Sequence, residues 1–422
     1  MKFNKTSQLV VAAAASLLAA SLLTACSTLT VDFVFVTSSK AAGPNNYGLI
    51  DVFEINSESG KMRQIPSSPF PSGGRLPVAE VVSADNKNLF VVNEDDNNIV
   101  QFVIGSDGKL YPFNTVNTPG IFPIGVAATK TNLFVADTYQ PLPLCSNADP
   151  CSGSIAVYPL VAGSSGSSST GSCTATVCLG TPVTNGSAGV PYWPLTLPSA
   201  PSDVIVPTAV NVLASGAYVY VTAYDSSVTP NRGLIFGFAV GSGGALTPLN
   251  NGVPHDMGVG GEGLGIRPSA IASDPTSSYV FVTDSTNDIV VSYSAASGVL
   301  TKIEDTPTGN QPTAVVVDPA YPYVYVTNGL DGTVTAYSMS SGVLTSLDNY
   351  TVGTDPVAIG IDPSTKHFLF VANFLDNNVS GFELSTTAGT LLESQFSPFS
   401  ASTNPTAVAA IPHNGTGGGI TK

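Results

Sequence analysis

Short apolar runs, alternating β-branched and aromatic residues and closing on a small or polar residue, recur along most of the chain. The clearest is Tyr323-Val324-Tyr325-Val326-Thr327-Asn328. Residues of these types over this length, ending in Asn, predict one buried strand followed by a turn. Seven copies run from Phe33 to Ser38, Asn88 to Asn93, Asn132 to Asp137, Tyr218 to Ala223, Tyr279 to Asp284, Tyr323 to Asn328 and Phe368 to Asn373. A second column also has seven members: Pro77-Val78-Ala79, Pro123-Ile124-Gly125, Pro207-Thr208-Ala209, Pro268-Ser269-Ala270, Pro312-Thr313-Ala314, Pro356-Val357-Ala358 and Pro405-Thr406-Ala407. Proline suits a strand's first residue, where no ladder donor is lost.

A third column follows the first, as in Val290-Val291-Ser292-Tyr293 and Val334-Thr335-Ala336-Tyr337. A fourth starts after a turn glycine, as in Gly298-Val299-Leu300 and Gly342-Val343-Leu344. Four short antiparallel strands in a period of about 44 residues describe a β-propeller blade. The order of the columns predicts how the ring closes. The array opens at Phe33 with no proline strand before it and ends on the proline strand Pro405 to Ile411. The last strand must complete the first blade, which hides both sheet edges. The expected fold is all-β: a seven-bladed β-propeller over 33–412, with a flexible tail at 413–422.

Residues 1–25 read as a targeting segment. Lys2 and Lys5 form a charged start, and Leu9 to Leu23 an apolar stretch too short for a span. Leu23-Thr24-Ala25-Cys26 resembles a bacterial lipobox, whose cysteine becomes the lipidated first residue. A lipoprotein signal peptide, lipidation at Cys26 and a linker over 26–32 are expected. The implied location is the cell envelope, at the outer membrane facing the periplasm or the cell surface, with the membrane reached only through that anchor.

Composition sharpens the function classes. The chain carries 14 Lys and Arg against 29 Asp and Glu, a net charge of −15. Loss of the leader removes two lysines and no acids. Such a surface disfavours nucleic acid and anionic headgroups. It suits a small molecule, a glycan or a protein ligand. Cys145, Cys151, Cys173 and Cys178 remain after Cys26, an even number in an exported chain. Of three connectivities, the local pairs Cys145–Cys151 and Cys173–Cys178 are expected. No histidine lies near them, which disfavours zinc.

The array resembles the YVTN family of propeller repeats and the seven-bladed propeller lactonases. The likeness covers nearly all of 33–412 and rests on the strand motif at Tyr323 to Asn328. It implies the fold, and as one activity the hydrolysis of a sugar lactone such as 6-phosphogluconolactone. The His-Pro-His type motif associated with that branch is absent. Its counterparts here read Leu76-Pro77-Val78 and Asn404-Pro405-Thr406.

Candidate chemistry lies where the repeat is broken. Three residues after each proline stand Glu80, Val126, Val210, Ile271, Val315, Ile359 and Val408. The lone carboxyl, Glu80, is expected beside or within the central channel. There it is a general base with raised pKa, or one side of a salt bridge. Arg75 and Arg267 sit near inner-strand starts as its partners or as anion binders. His255, on the interblade stretch from Asn250 to Arg267, is the histidine placed to meet a ligand; plain exposure is the other reading. Tyr139 and Tyr224 are expected as aromatics at the loop face. Trp193 lies in an insertion at 161–206, either as a sugar platform or as a pin. Asp and Asn in the tight hairpins read as turn formers, with Ca²⁺ as the alternative and no other cofactor expected. Two functions follow. One is a lipid-anchored binding scaffold. The other is a lactone hydrolase, which requires Glu80, His255 and an arginine to converge.

Overall fold

The computed structural model describes residues 30–412 apart from 44, 57–58, 142–144, 146–150, 164–174, 187, 259–264 and 364–367. Cys26, Cys173, His367 and His413 therefore lie outside the described residues.

Seven antiparallel sheets form seven blades. Blade 6 shows the plan: Pro312–Val317 innermost, then Tyr323–Asn328, Thr333–Ser340 and Val343–Thr351. The inner strands of blades 1 to 7 pack side by side in a closed ring: Pro405–Pro412, Pro77–Val82, Ile121–Ala128, Ile205–Val212, Pro268–Ser273, Pro312–Val317 and Pro356–Ile361. Closure is as the column order requires. Pro405–Pro412 pairs with Thr30–Ala42, placing Ala409 opposite Phe35.

Period-two alternation explains the central strand. Tyr323 and Tyr325 pack with Leu369, Val371 and Phe382 of blade 7. Val324 and Val326 pack with Phe281 and Val290 of blade 5. A strand with a blade on either side buries both faces, so all six of its residues are buried. The fourth-column glycines complete this seam. A Cβ on Gly389 would lie 2.3 Å from Tyr323, one on Gly342 2.6 Å from Tyr279, and one on Gly298 2.4 Å from Tyr218. Each has positive φ. Each turn therefore needs glycine twice, for its backbone and for the aromatic of the preceding blade.

The outer strands depart from the regular reading. In blades 1, 3, 4 and 7 the fourth strand is split in two, as in Leu246–Pro248 with His255–Asp256. The stretch 161–206 is more than an insertion. It supplies Val177–Leu179 and Trp193–Pro194, the fourth strand of blade 3.

Candidate functional site

The residue before each first-column proline stands where an inner strand starts, at the mouth of the ring. Leu76, Phe122, Gln311, Asp355 and Asn404 all hold φ between 50° and 58° there. Left-handed backbone is costly for such residues, roughly 1–3 kcal/mol each, and the repeat compensates with a latch. The Leu76 carbonyl accepts the Glu94 amide at 2.8 Å, that of Gln311 the Gly329 amide at 2.8 Å, and that of Asp355 the Phe374 amide at 2.9 Å. Each donor opens the tight hairpin of the same blade.

The hairpin acids make a second clasp. Asp96, Asp331 and Asp376 accept the backbone amides of Arg75, Asn310 and Thr354, at 2.8, 2.7 and 2.7 Å. They are turn and loop fasteners. Among the described residues no three His, Cys, Asp or Glu side chains group as a metal site would require.

The structure separates the expected acid and base. Glu80 does not line the channel as a free base. Its six aliphatic counterparts fill seams between blades, and its side chain does the same between blades 1 and 2. Oε2 accepts the Thr37 hydroxyl at 2.5 Å, while Oε1 is buried with no partner. Burial is the main cause that pushes its pKa up to about 7, against opposing hydrogen bonds from Thr37 and the Ala409 backbone. His255 stands on the outer edge of blade 4, in a short strand pairing with Ile235. Its ring packs edge-on to Tyr293 of blade 5 at 5.1 Å. Burial lowers its pKa. An inner strand of blade 2 and an outer strand of blade 4 cannot present these two groups to one substrate. Pairing of His255 with the third strand, Arg232–Val240, leaves no periodicity in the sequence because the strand is two residues long.

Arg75 is not a partner of Glu80 either. Its Nε donates to Asp96 at 2.7 Å. Trp193 is buried in the core that joins blades 3 and 4, beside Ile155 and Phe236, so it pins the insertion. It also walls a cleft of about 220 Å³ with Pro194, Phe236 and Phe238. Tyr139 is half-buried and meets Phe122 edge-on at 6.0 Å. Cys145 and Cys151 form a disulfide, and Cys178 is disulfide-bonded.

Two expected residues do come together. The exposed Arg267 guanidinium lies over the ring of half-buried Tyr224, 5.2 Å from its centroid. Arg267 immediately precedes Pro268, and Tyr224 stands opposite Val206, which precedes Pro207. Both therefore sit at the mouth, on blades 5 and 4. Of the chain's four arginines, Arg63, Arg75 and Arg232 pair with Glu54, Asp96 and Asp256. Arg267 makes no ion pair among the described residues. Exposed Gln311 is the next ring position and was missed; the column of residues before proline was the signal for it.

The fold is a seven-bladed β-propeller similar to those of lactonases. Residues 233–361 and 289–413 match the family described as "Lactonase, 7-bladed beta-propeller". A protein from Bacteroides fragilis assigned as a 6-phosphogluconolactonase is 18% identical, with 91% of this chain and 99% of that chain covered and a TM-score of 0.63. A counterpart from Bacteroides uniformis is 18% identical, covering 90% and 99%, with a TM-score of 0.65. The periplasmic gluconolactonase of Pseudomonas aeruginosa is also 18% identical, covering 90% and 99%, at 0.63. Likeness at this identity concerns the fold. No curated protein sequence matches the chain.

Proposed function

We propose that this protein is a lipid-tethered, extracytoplasmic binding propeller whose loop-face mouth captures an acidic sugar or sugar derivative. The observation that carries this reading is Arg267, an arginine with no carboxylate partner among the described residues of a strongly acidic protein, stacked on Tyr224. A guanidinium held by an aromatic face keeps its donor fork turned outward, which suits a carboxylate or phosphate. The tyrosine face suits the apolar side of a sugar ring. The lipobox-like run Leu23-Thr24-Ala25-Cys26 supports the tether, and the relatives' names, which concern sugar lactones, support the ligand class. The membrane is met through that anchor alone, and no metal takes part.

A second reading, lactone hydrolysis, is favoured by the family match. It would need an acid or base other than the Glu80–His255 pair. The test is a thermal-shift panel of aldonates, uronates, sugar phosphates and neutral glycans on the mature protein, run beside a lactone hydrolysis assay. Stabilisation by the acidic members without turnover is the expected result. Turnover that persists in Glu80→Gln would favour the second reading with a different catalytic group. No stabilisation by any member would remove the proposed ligand class.

A further inference from the structure

The seam between blades 1 and 2 is built unlike any other. At the position three after the first-column proline, six blades place Val or Ile against the preceding blade; blade 2 places Glu80. Its hydrogen-bond partner, Thr37, is also singular. In blades 4, 5 and 6 the corresponding threonines, Thr222, Thr283 and Thr327, face the hydroxyls of Thr208, Ser269 and Thr313 in their own blades. In blade 1 the Thr37 hydroxyl is instead donated across the seam to Glu80. Thr406 keeps the regular bonds of the repeat, donating to the carbonyls of Thr37 and Pro77 at 3.1 and 2.9 Å as Ser269 and Thr313 do at their own seams, so the departure is confined to Glu80 and Thr37. The strands meeting here are Thr30–Ala42 and Pro405–Pro412, the pair that closes the ring.

We propose that Glu80 is a proton-dependent latch on ring closure. Neutral, it seals the seam between blades 1 and 2. When it gives its proton to solvent, a charge is left in a seam where burial outweighs the hydrogen bonds from Thr37 and from the Ala409 amide of the closing strand and where Oε1 has no partner, and the hold on the closing strands weakens. Because Asn404 precedes Pro405–Pro412 and Leu76 precedes Pro77–Val82, the strand that carries Glu80, loosening would reach the loop face.

Few other groups could act in its place. Pro405–Pro412, Asn88–Asn93 and Ile121–Ala128 carry no titratable residue. Thr30–Ala42 carries Asp32 and Lys40 near its two ends. On Tyr47–Asn56, Asp51 accepts from Ser402 and Gln64, and Glu54 pairs with Arg63. No charge is among the influences on Glu80, whose ionisation is governed first by burial. Its folded pKa lies above the ordinary 4.5, near 7. The sealing effect is therefore complete below about pH 4.5 and is lost as pH rises through 7.

Amide hydrogen exchange of the mature protein between pH 5 and 8, corrected for intrinsic exchange, tests this. Protection of residues 405–412 and 30–42 should fall by roughly tenfold or more relative to blades 4 to 6. Glu80→Gln keeps an acceptor for Thr37, and Glu80→Val restores the residue type of the other blades. Either should abolish the selective fall. Asp51→Asn and Asp137→Asn should leave it. A fall that persists in Glu80→Gln, or one spread evenly over all blades, would overturn the proposal.

Discussion

At the scale of single residues, buried polar groups separate into fasteners and orphans. Tyr325 is a fastener: its hydroxyl donates to the Gly389 carbonyl of the next blade at 3.0 Å. Tyr325→Phe should cost about 1 kcal/mol in chemical denaturation, the typical worth of one buried hydrogen bond. Asp137 keeps one orphaned oxygen. Gly120 donates to Oδ2 at 3.3 Å and Thr118 also hydrogen-bonds the carboxyl, but Oδ1 and the facing Ser154 hydroxyl are buried without partners. Burial pushes its pKa from 3.8 to about 8. The neutral form is favoured in the fold, so its contribution is complete below pH 4 and is lost as pH rises through 8. Asp137→Asn should flatten the decline of thermal midpoint between pH 7 and 8.5. An unchanged slope would exclude Asp137 as its source.

Elements show why some features were legible in the sequence and others were not. The strand Tyr323–Asn328 was legible because each residue type repeats with its neighbour's environment, seven times over. The hairpins were legible for the same reason, since Asp331 and Asp376 perform one clasp in successive blades. Glu80 was legible as an exception, but its direction was not. A column shows that a carboxyl replaces an aliphatic, whereas only three-dimensional packing shows that the aliphatics point between blades. His255 was misread because a two-residue edge strand has no period. The turn glycines offer a test at this scale. Gly389→Ala would place a Cβ 2.3 Å from Tyr323 at a φ of +68°. Steric clash and backbone strain together should cost about 2–4 kcal/mol. A smaller loss, below about 1 kcal/mol, would mean the blade seam yields more readily than its packing suggests.

As a whole molecule, the propeller is a ring made by its last strand. Removing residues 405–412 strips blade 1 of its inner strand and exposes the edge of Thr30–Ala42. The truncated chain should lose cooperative melting and aggregate, as scanning calorimetry and light scattering would show. A single sharp transition would contradict the closure. The ring also gathers its seven inner-strand starts into one mouth, where Arg267 makes no ion pair among the described residues and lies against Tyr224. The most direct test of that account is isothermal titration with glucuronate of the mature protein, Arg267→Ala and Arg75→Ala, side by side at low salt. Both variants remove one positive charge from an inner-strand start, so nonspecific electrostatics would affect them equally. Arg267→Ala is expected to weaken binding at least tenfold, about 1.4 kcal/mol, while Arg75→Ala, whose arginine is already held by Asp96, binds like the unaltered protein. Equal affinities in all three proteins, or equal losses in both variants, would contradict a binding site at Arg267 and Tyr224.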